Sequence, residues 1–275
     1  MKCFYHKADS DGKCSGAIVK MAHPDVQLIP FNYGDKFPWE SIKPGEPVFM
    51  VDVSLQPAEM ERLSGISDLI WIDHHTSAIS AINPDIGGLR RVGSAGCELT
   101  WEFLNGSEEV PLAVTYIGRY DVWDKSDEKL WKEKLVPLTM GLRGQNVSPD
   151  NLLFWENLFS KPEIIEKLIQ AGKVILGYQK EQSKSHGDES YYEGTFAGKK
   201  AIFGNTGRGS ESFEGFFDPA KHDIMVSYSH TKDKQWRVSL YSTKVDVAEL
   251  AKKYGGGGHK GASGFIAKDL SFIDS

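Results

Sequence analysis

The sequence predicts an α/β protein. A doubly wound N-terminal domain on a parallel sheet (residues 1–150) is followed by a helical connector (151–190). A smaller, mixed α/β domain (191–275) completes the chain, with an active-site cleft expected between the two domains. Three features lead there. Short, nearly continuous apolar runs alternate with helix-like segments through the first half, as strands covered on both faces require. A long helical stretch follows. The last third then returns to strands, one well-capped helix and a run of glycines.

Taken in order, KCFYH (2–6) reads as a strand, SGAIVKMA (15–22) as a helix and VQLIPF (26–31) as a second strand. PVFMVDV (47–53) is a buried strand by its unbroken apolar run. PAEMERL (57–63) is a helix with Pro57 in its first turn. LIWID (69–73) is another buried strand, and SAGCELTWEFL (94–104) a helix with Ser94 as its N-cap. SPDNLLFWENLF opens with a Ser-Pro helix start at 148–149. In PEIIEKLIQAGKVILGYQKEQ (162–182), Ile164, Ile165, Leu168, Ile169, Val174, Ile175 and Leu176 fall largely on one face. That stripe fits packing within the chain or a homodimer surface. GTFAGKKAIFG (194–204) is a hairpin turning at Gly198. DIMVSYSH (223–230) and QWRVSLYS (235–242) are strands. DVAELAKKY (246–254) is a helix with Asp246 and Glu249 as a capping box and Lys252 and Lys253 in its last turn. GFIAK ends the fold as a strand.

Composition narrows the function. The chain has 275 residues, 40% hydrophobic and 25% charged, with a net charge of −6. That balance disfavours a protein that tracks long duplex nucleic acid by its phosphates. No apolar run is long enough to cross a bilayer. MKCFYHKADSDG turns polar after five residues, unlike a signal peptide. Three cysteines, Cys3, Cys14 and Cys97, form no CxxC pair and fit a reducing, cytoplasmic setting rather than a disulfide framework.

Ligand-type side chains gather where strands end. His6 closes the first strand, with Asp9 and Asp11 in the turn after it. Asp52 closes VFMVD, and Asp73, His74 and His75 close LIWIDHH; Asp121 follows a helical run in YIGRYDVWD. Strands of a parallel sheet direct their carboxyl ends to one edge, where sites form. So many carboxylates together would repel and raise one another's pKa, and divalent cations resolve the conflict. Mixed imidazole and carboxylate donors suit manganese, iron, cobalt or zinc better than calcium. The count suits two ions, about 3.5–4 Å apart, and the natural chemistry of such a pair is hydrolysis of a phosphate ester.

A second motif, GGGGHKGASGF (255–265), follows the 246–254 helix. One glycine is a helix C-cap. Gly256, Gly257 and Gly258 permit close approach of an anion to backbone N–H groups, and His259 and Lys260 add donors. GNTGRGSES (204–212) is a weaker version in which Arg208 serves either phosphate binding or an ordinary loop.

Together these motifs resemble the DHH phosphoesterase superfamily, named for the triplet Asp73-His74-His75. HKADSDG, VDVS, DHH and GRYDVWD are similar to its successive motifs, and GGGGHKGASGF to the glycine-rich signature of the DHH-associated C-terminal domain. The resemblance implies two divalent ions, usually manganese. His6 and Asp9 would hold one, Asp11 and His74 the other, with Asp52 between them and Asp121 completing the site. Asp73 would orient a histidine, His75 would face the scissile phosphate, and the glycine run with His259 would grip a terminal phosphate or nucleotide. His6 and Asp9 are three residues apart where several branches use four. Relatives often carry SLRS where this chain has SLYS, so Tyr241 stands in place of an arginine. Either Arg237, on the same face of the strand, replaces that cation, or Tyr241 instead stacks on a base.

The resemblance implies a cytoplasmic phosphodiesterase that cuts short oligonucleotides or dinucleotides to nucleoside monophosphates. The alternatives are a phosphatase of 3′-phosphoadenosine 5′-phosphate, a single-strand exonuclease and a non-enzymatic nucleotide-binding regulator. The last is disfavoured because every ligand position is filled.

Overall fold

The computed structural model describes residues 1–273. The chain divides into two compact units, Met1–Leu176 and Gly177–Ser275.

The first unit is built on four parallel strands: β1 (Lys2–His6), β2 (Gln27–Phe31), β3 (Pro47–Val51) and β4 (Asp68–Ile72), in the order β2-β1-β3-β4. Alternation along each strand serves two cores. Phe4, Met50 and Trp71 fill one face, and Cys3, Tyr5, Phe49, Val51 and Ile72 the other. Coverage of both faces is what the unbroken apolar runs demanded. The chain leaves β1 for β2 on one side, and β3 pairs on the other. The carboxyl ends of β1 and β3 therefore flank the point where strand order reverses, the usual crevice of an open parallel sheet.

The helices, in chain order, are α1 (Ser10–Ala22), α2 (Pro57–Ile66), α3 (Thr76–Ala81), α4 (Gly96–Asn105), α5 (Leu112–Asp121), α6 (Glu128–Leu130), α7 (Val136–Arg143), α8 (Leu152–Ser160) and α9 (Pro162–Ser190). A π-helical turn, Trp131–Leu135, joins α6 to α7. Trp155, Leu158, Ile165, Leu168 and Ile169 pack with Ile18, Val114, Ile117 and Leu138 in a helical core. Most of the expected connector is thus core of the first unit, because its apolar residues have helices to pack against. Val174, read as part of the same stripe, is instead exposed, since the stripe drifts around the long helix.

Some expected boundaries shift. α1 begins at Ser10 rather than Ser15, so the DSDG turn is its first turn, with Asp9 as N-cap accepting from the Gly12 N–H at 3.0 Å. Ser94 does not cap α4; Ala95 takes that place, and its N–H donates to Glu98. α8 starts at Leu152, beyond the Ser-Pro signal, with Asn151 before it.

The second unit carries a mixed six-stranded sheet of β5 (Tyr191–Phe196), β6 (Lys199–Asn205), β7 (Ile224–His230), β8 (Trp236–Tyr241), β9 (Gly257–His259) and β10 (Ala262–Ala267), ordered β5-β6-β7-β8-β10-β9. Of these strands, β6 and β7 pair in parallel and the other neighbours antiparallel. The β5–β6 hairpin turns through Ala197 and Gly198, both at positive φ, as a tight hairpin of right-handed strands prefers. Helix α10 (Val247–Lys253) packs Val247, Leu250 and Ala251 onto Phe196, Val226, Leu240 and Phe265. Asp246 accepts from the Ala248 and Glu249 N–H groups, but Glu249 pairs with Lys252, so only half of the expected capping box forms.

Candidate metal centre

All four parallel strands deliver polar residues to one edge. His6 ends β1, Asn32 follows β2, Asp52 follows β3, and Asp73, His74 and His75 follow β4. Helix α1 adds Asp9 and Asp11, and the end of α5 adds Asp121. Donor atoms of His6, Asp9 and Asp52 lie within 4.8 Å of one another, as do those of Asp11, His74 and Asp121. Asp52 touches both groups: one carboxylate oxygen is 3.5 Å from His6 Nδ1 and the other 3.2 Å from His74 Nε2. His74 Nε2 also lies 3.4 Å from Asp121 and 3.7 Å from Asp11. The six residues expected as ligands are brought together.

The backbone is arranged around these groups. Asp52 is 1% exposed and has φ +56°, a conformation unfavourable for most L-residues and typical of functional positions. Gly96 makes room for it, since a Cβ there would lie 2.7 Å from the Asp52 Cβ. Asp11 is also buried, and its two oxygens accept the Gly96 and Cys97 N–H groups, each at 2.7 Å. These belong to the first turn of α4, where unpaired N–H groups and the helix dipole favour an anion. Gly12 lets α1 approach the backbone of His6, which a Cβ would strike.

Asn32, absent from the sequence reading, determines the tautomer of His6. Its Oδ1 accepts the Tyr33 N–H at 2.9 Å, which fixes the orientation of the amide. The same oxygen lies 3.0 Å from His6 Nε2, so that nitrogen must be the donor. The Nδ1 lone pair then faces Asp9 at 2.9 Å and Asp52 at 3.5 Å. His6 Nδ1 and Asp52 Oδ1 are buried without a hydrogen bond of good geometry. A lone pair turned toward two carboxylates requires either a proton or a metal cation. The donor set therefore fits a divalent ion, consistent with the orienting bonds that metal-binding histidines make through their other nitrogen.

The ionisation of the cluster shows the same conflict. Burial lowers the His6 pKa, but the Asp52 and Asp9 carboxylates beside it outweigh that and raise it to about 10. Burial and the Asp52 charge push Asp121 up to about 6. Asp11 is raised by burial and by Asp52 and Asp121, against the pull of the Cys97 donors. Burial opposes the Asp9 anion, yet His6 and the Gly12 N–H hold it below the usual carboxylate range.

Asp73 is wholly buried and accepts from the His74 and His75 N–H groups and from Trp71 Nε1. Its Oδ1 is 2.6 Å from His75 Nδ1. The histidine it orients is thus His75, whose Nε2 is turned away from Asp73. The Asp73 bond raises the His75 pKa despite burial of the ring. Tyr33, also missed, sets its ring edge-on to both His6 and His75 at 5.8 Å. Both Asn32 and Tyr33 follow a strand at the same edge as His6, and that rule would have found them.

In the second unit, Arg237 and Tyr241 line a hollow of about 630 Å³ with Gly256, Gly257, Ser263 and Gly264. The glycine run differs from the loop expected. Gly257–His259 is strand β9, paired with β10, so part of its backbone hydrogen bonding is internal. Gly256 and Gly258 are needed for packing, because a Cβ on either would collide with β10. His259 and Lys260 are exposed and outside the lining of that hollow. Arg208 donates to Ser183 Oγ on α9 and does not line it either.

Residues 218–275 match the DHHA1 domain. The chain superimposes on the pGpG-specific phosphodiesterase PggH of Vibrio cholerae with a TM-score of 0.56, at 12% identity, over 97% of this chain and 92% of that one. The DHH domain of a protein assigned to a family of ribosomal proteins gives 0.55 at 12% identity, over 97% and 82% of the respective chains. These likenesses establish the fold. The chain has the fold of these DHH-domain proteins, and its C-terminal end matches the DHHA1 domain. An uncharacterized protein, R106, of Acanthamoeba polyphaga mimivirus is 27% identical over 231 residues, which are 79% of this chain and 52% of that protein. The chain thus spans about half the length of that curated relative. Among the described residues, no helix is long and apolar enough to cross a membrane.

Proposed function

We propose that this chain is a phosphodiesterase that hydrolyses short oligonucleotides or dinucleotides to nucleoside monophosphates, with two divalent ions, manganese being the one the resemblance implies. The observation that carries the reading is a pair of adjacent triads linked by Asp52, a member of one and 3.2 Å from His74 of the other. His6, Asp9 and Asp52 would hold one ion; Asp11, His74 and Asp121, with the second oxygen of Asp52, the other. Bound there, such a pair neutralises phosphate charge and makes coordinated water more acidic. The likeness to a dinucleotide-specific phosphodiesterase and the DHHA1 match support a phosphoester substrate.

The protein's own groups do the rest. Asn32 holds His6 with Nε2 protonated, so Nδ1 stays available as a donor atom. Asp73 fixes His75 through Nδ1 and raises its pKa, which suits the opposite nitrogen to carry a proton to the leaving oxygen. In the DHHA1 unit, Arg237 and Tyr241 offer a cation and a ring to a terminal nucleotide. We read the whole as a cytoplasmic enzyme whose partner is its substrate.

The test offers the purified protein, with manganese, a labelled dinucleotide, a ~5-mer, a ~20-mer and 3′-phosphoadenosine 5′-phosphate in parallel, at the short lengths that this narrow donor cluster suits. The dinucleotide and the ~5-mer are expected to be cut fastest. Preference for the ~20-mer would identify an exonuclease of longer strands, and preference for the bisphosphorylated nucleoside a phosphatase.

A further inference from the structure

Two residues beyond Asp121 stands Trp123, whose ring burial does not explain. It is 67% exposed, yet its backbone is held at φ +56°. A bulky residue in the left-handed region costs folding free energy, and an indole in water recovers little of it. The loop is firmly built all the same. Arg119 Nε bonds Asp124 at 2.7 Å, and Asp124 in turn accepts from Ser126. Trp123 stacks on Trp131, with ring centroids 5.7 Å apart, and Trp131 stacks on Tyr120 at 5.2 Å and an interplanar angle of 7°. Lys125 Nζ lies 4.5 Å from the Trp123 ring centre and 4.9 Å from that of Trp131.

The innermost ring of this ladder reaches the metal centre. Tyr120 lines a cavity of about 300 Å³ together with Asp9, Asp11, Asp121, Lys13 and Arg143. In a chain of net charge −6, the cavity and the ladder together gather Lys13, Lys125 and Arg143 near the exposed Trp123 ring. Stacked rings interleaved with cations are how proteins hold single-stranded nucleic acid without reading its sequence.

We propose that Trp123, backed by Trp131, Tyr120 and Lys125, forms a stacking subsite for a nucleobase of a single strand leading away from the metal centre. This rests on the oligonucleotide reading above and deepens it. The subsite favours substrates that have a base beyond the scissile phosphate, and it is indifferent to which base.

Binding and turnover are measured separately. The chain carrying Asp52→Asn, chosen because its turnover is expected to be slowed most, is titrated with a fluorescent 5-mer and with the same 5-mer made abasic. Trp123→Ala in this background is expected to weaken binding of the intact 5-mer by about 5- to 100-fold, the range for loss of one base–aromatic stack. The abasic 5-mer should lose almost nothing, and Trp123→Phe should recover most of the affinity. Trp123→Gly removes ring and backbone strain together, so an unchanged or higher melting temperature with weak binding separates recognition from folding. Equal losses for intact and abasic strands, or no loss, overturn the subsite whatever the turnover. Binding sensitive to Trp123 in a protein that cleaves no oligonucleotide leaves the subsite standing and removes the phosphodiesterase reading. Failure to bind the 5-mer at all, with the rings instead joining two copies of the chain, removes both.

Discussion

Asp11, Asp52 and Asp73 in the first unit are at most 1% exposed, and each is tied to named donors or set beside a second ligand. Arg237, His259 and Lys260 in the second unit stand in solvent. The contrast concerns what each group must do. The ligands proposed for the metal need fixed positions and a low-dielectric setting, which strand ends, oriented partners and a strained backbone provide. Residues that meet a variable substrate can remain mobile on an exposed face. Substitutions in the first unit should therefore act through metal and rate, and those in the second through substrate affinity.

The largest effect should come from Asp52→Asn. Asparagine tolerates positive φ, so the fold should survive, but one shared carboxylate charge disappears from both triads. Manganese-dependent turnover should fall by about a thousandfold or more, several kcal/mol of lost charge stabilisation. Unchanged turnover at an unchanged melting temperature would falsify the double-triad assignment.

Metal and pH should sharpen the same contrast. His6 is raised from 6.5 to about 10 in the metal-free fold. Its contribution to stability is complete below 6.5 and lost as pH rises through 10. Asp121, raised to about 6, contributes fully below the ordinary carboxylate range and loses that contribution as pH rises through 6. Both groups make the metal-free protein less stable as pH increases from 5 to 9. A bound cation needs the same groups deprotonated, so its stabilisation grows with pH. The gap in melting temperature with and without manganese should widen across that range, as the stabilisation by the ion grows to about 3 kcal/mol at a hundred times its Kd. A gap that shrinks with pH would mean the cluster is not where the ion binds.

Legibility in the sequence follows the same division. Half of the proposed ligands, His6, Asp52 and His74, could be read because each ends or follows an apolar strand and all parallel strands end at one edge, whereas Asp9, Asp11 and Asp121 come from helices α1 and α5. His6, Asp52 and the DHH triplet needed only the strand assignments. Asn32 obeys the same rule but was passed over, since an amide next to a Tyr-Gly turn carries no metal signature of its own. The glycine run was harder. Glycine has no side-chain periodicity, so a short edge strand such as β9 cannot be told from a loop, and the collision of Gly256 and Gly258 with β10 is visible only in three dimensions. Trp123 looked like an ordinary aromatic until its exposure and positive φ were known together. Helix starts at Ser94 and Ser148 failed because hydroxyl residues near a helix offer caps that tertiary contacts need not use.

A smaller effect is expected from Asn32→Ala. It leaves the six ligands in place and removes only the acceptor that keeps His6 Nε2 protonated. Manganese affinity should weaken by about 10- to 100-fold, with kcat at saturating metal largely restored. The readout is the manganese concentration giving half-maximal stabilisation, which a purely structural role for Asn32 would not move. Asn32→Asp keeps the acceptor and should recover the affinity in part.

The smallest expected effect lies across the contrast, in Arg237→Ala. Arg237 and Tyr241 are four residues apart on β8, two steps along the same face, beside the hollow walled by Gly256, Gly257 and Gly264. An exposed guanidinium retains its hydration and rotamer freedom, so the net gain from pairing with a phosphate is modest. Its loss should raise KM for a dinucleotide by about tenfold or less, a charged hydrogen bond discounted for exposure, and leave kcat alone. Adding Tyr241→Arg to that variant returns a cation to the same face and should restore KM if charge is what the face supplies. If KM instead worsens, the Tyr241 ring is the contact that matters, and the second unit grips a base rather than a phosphate.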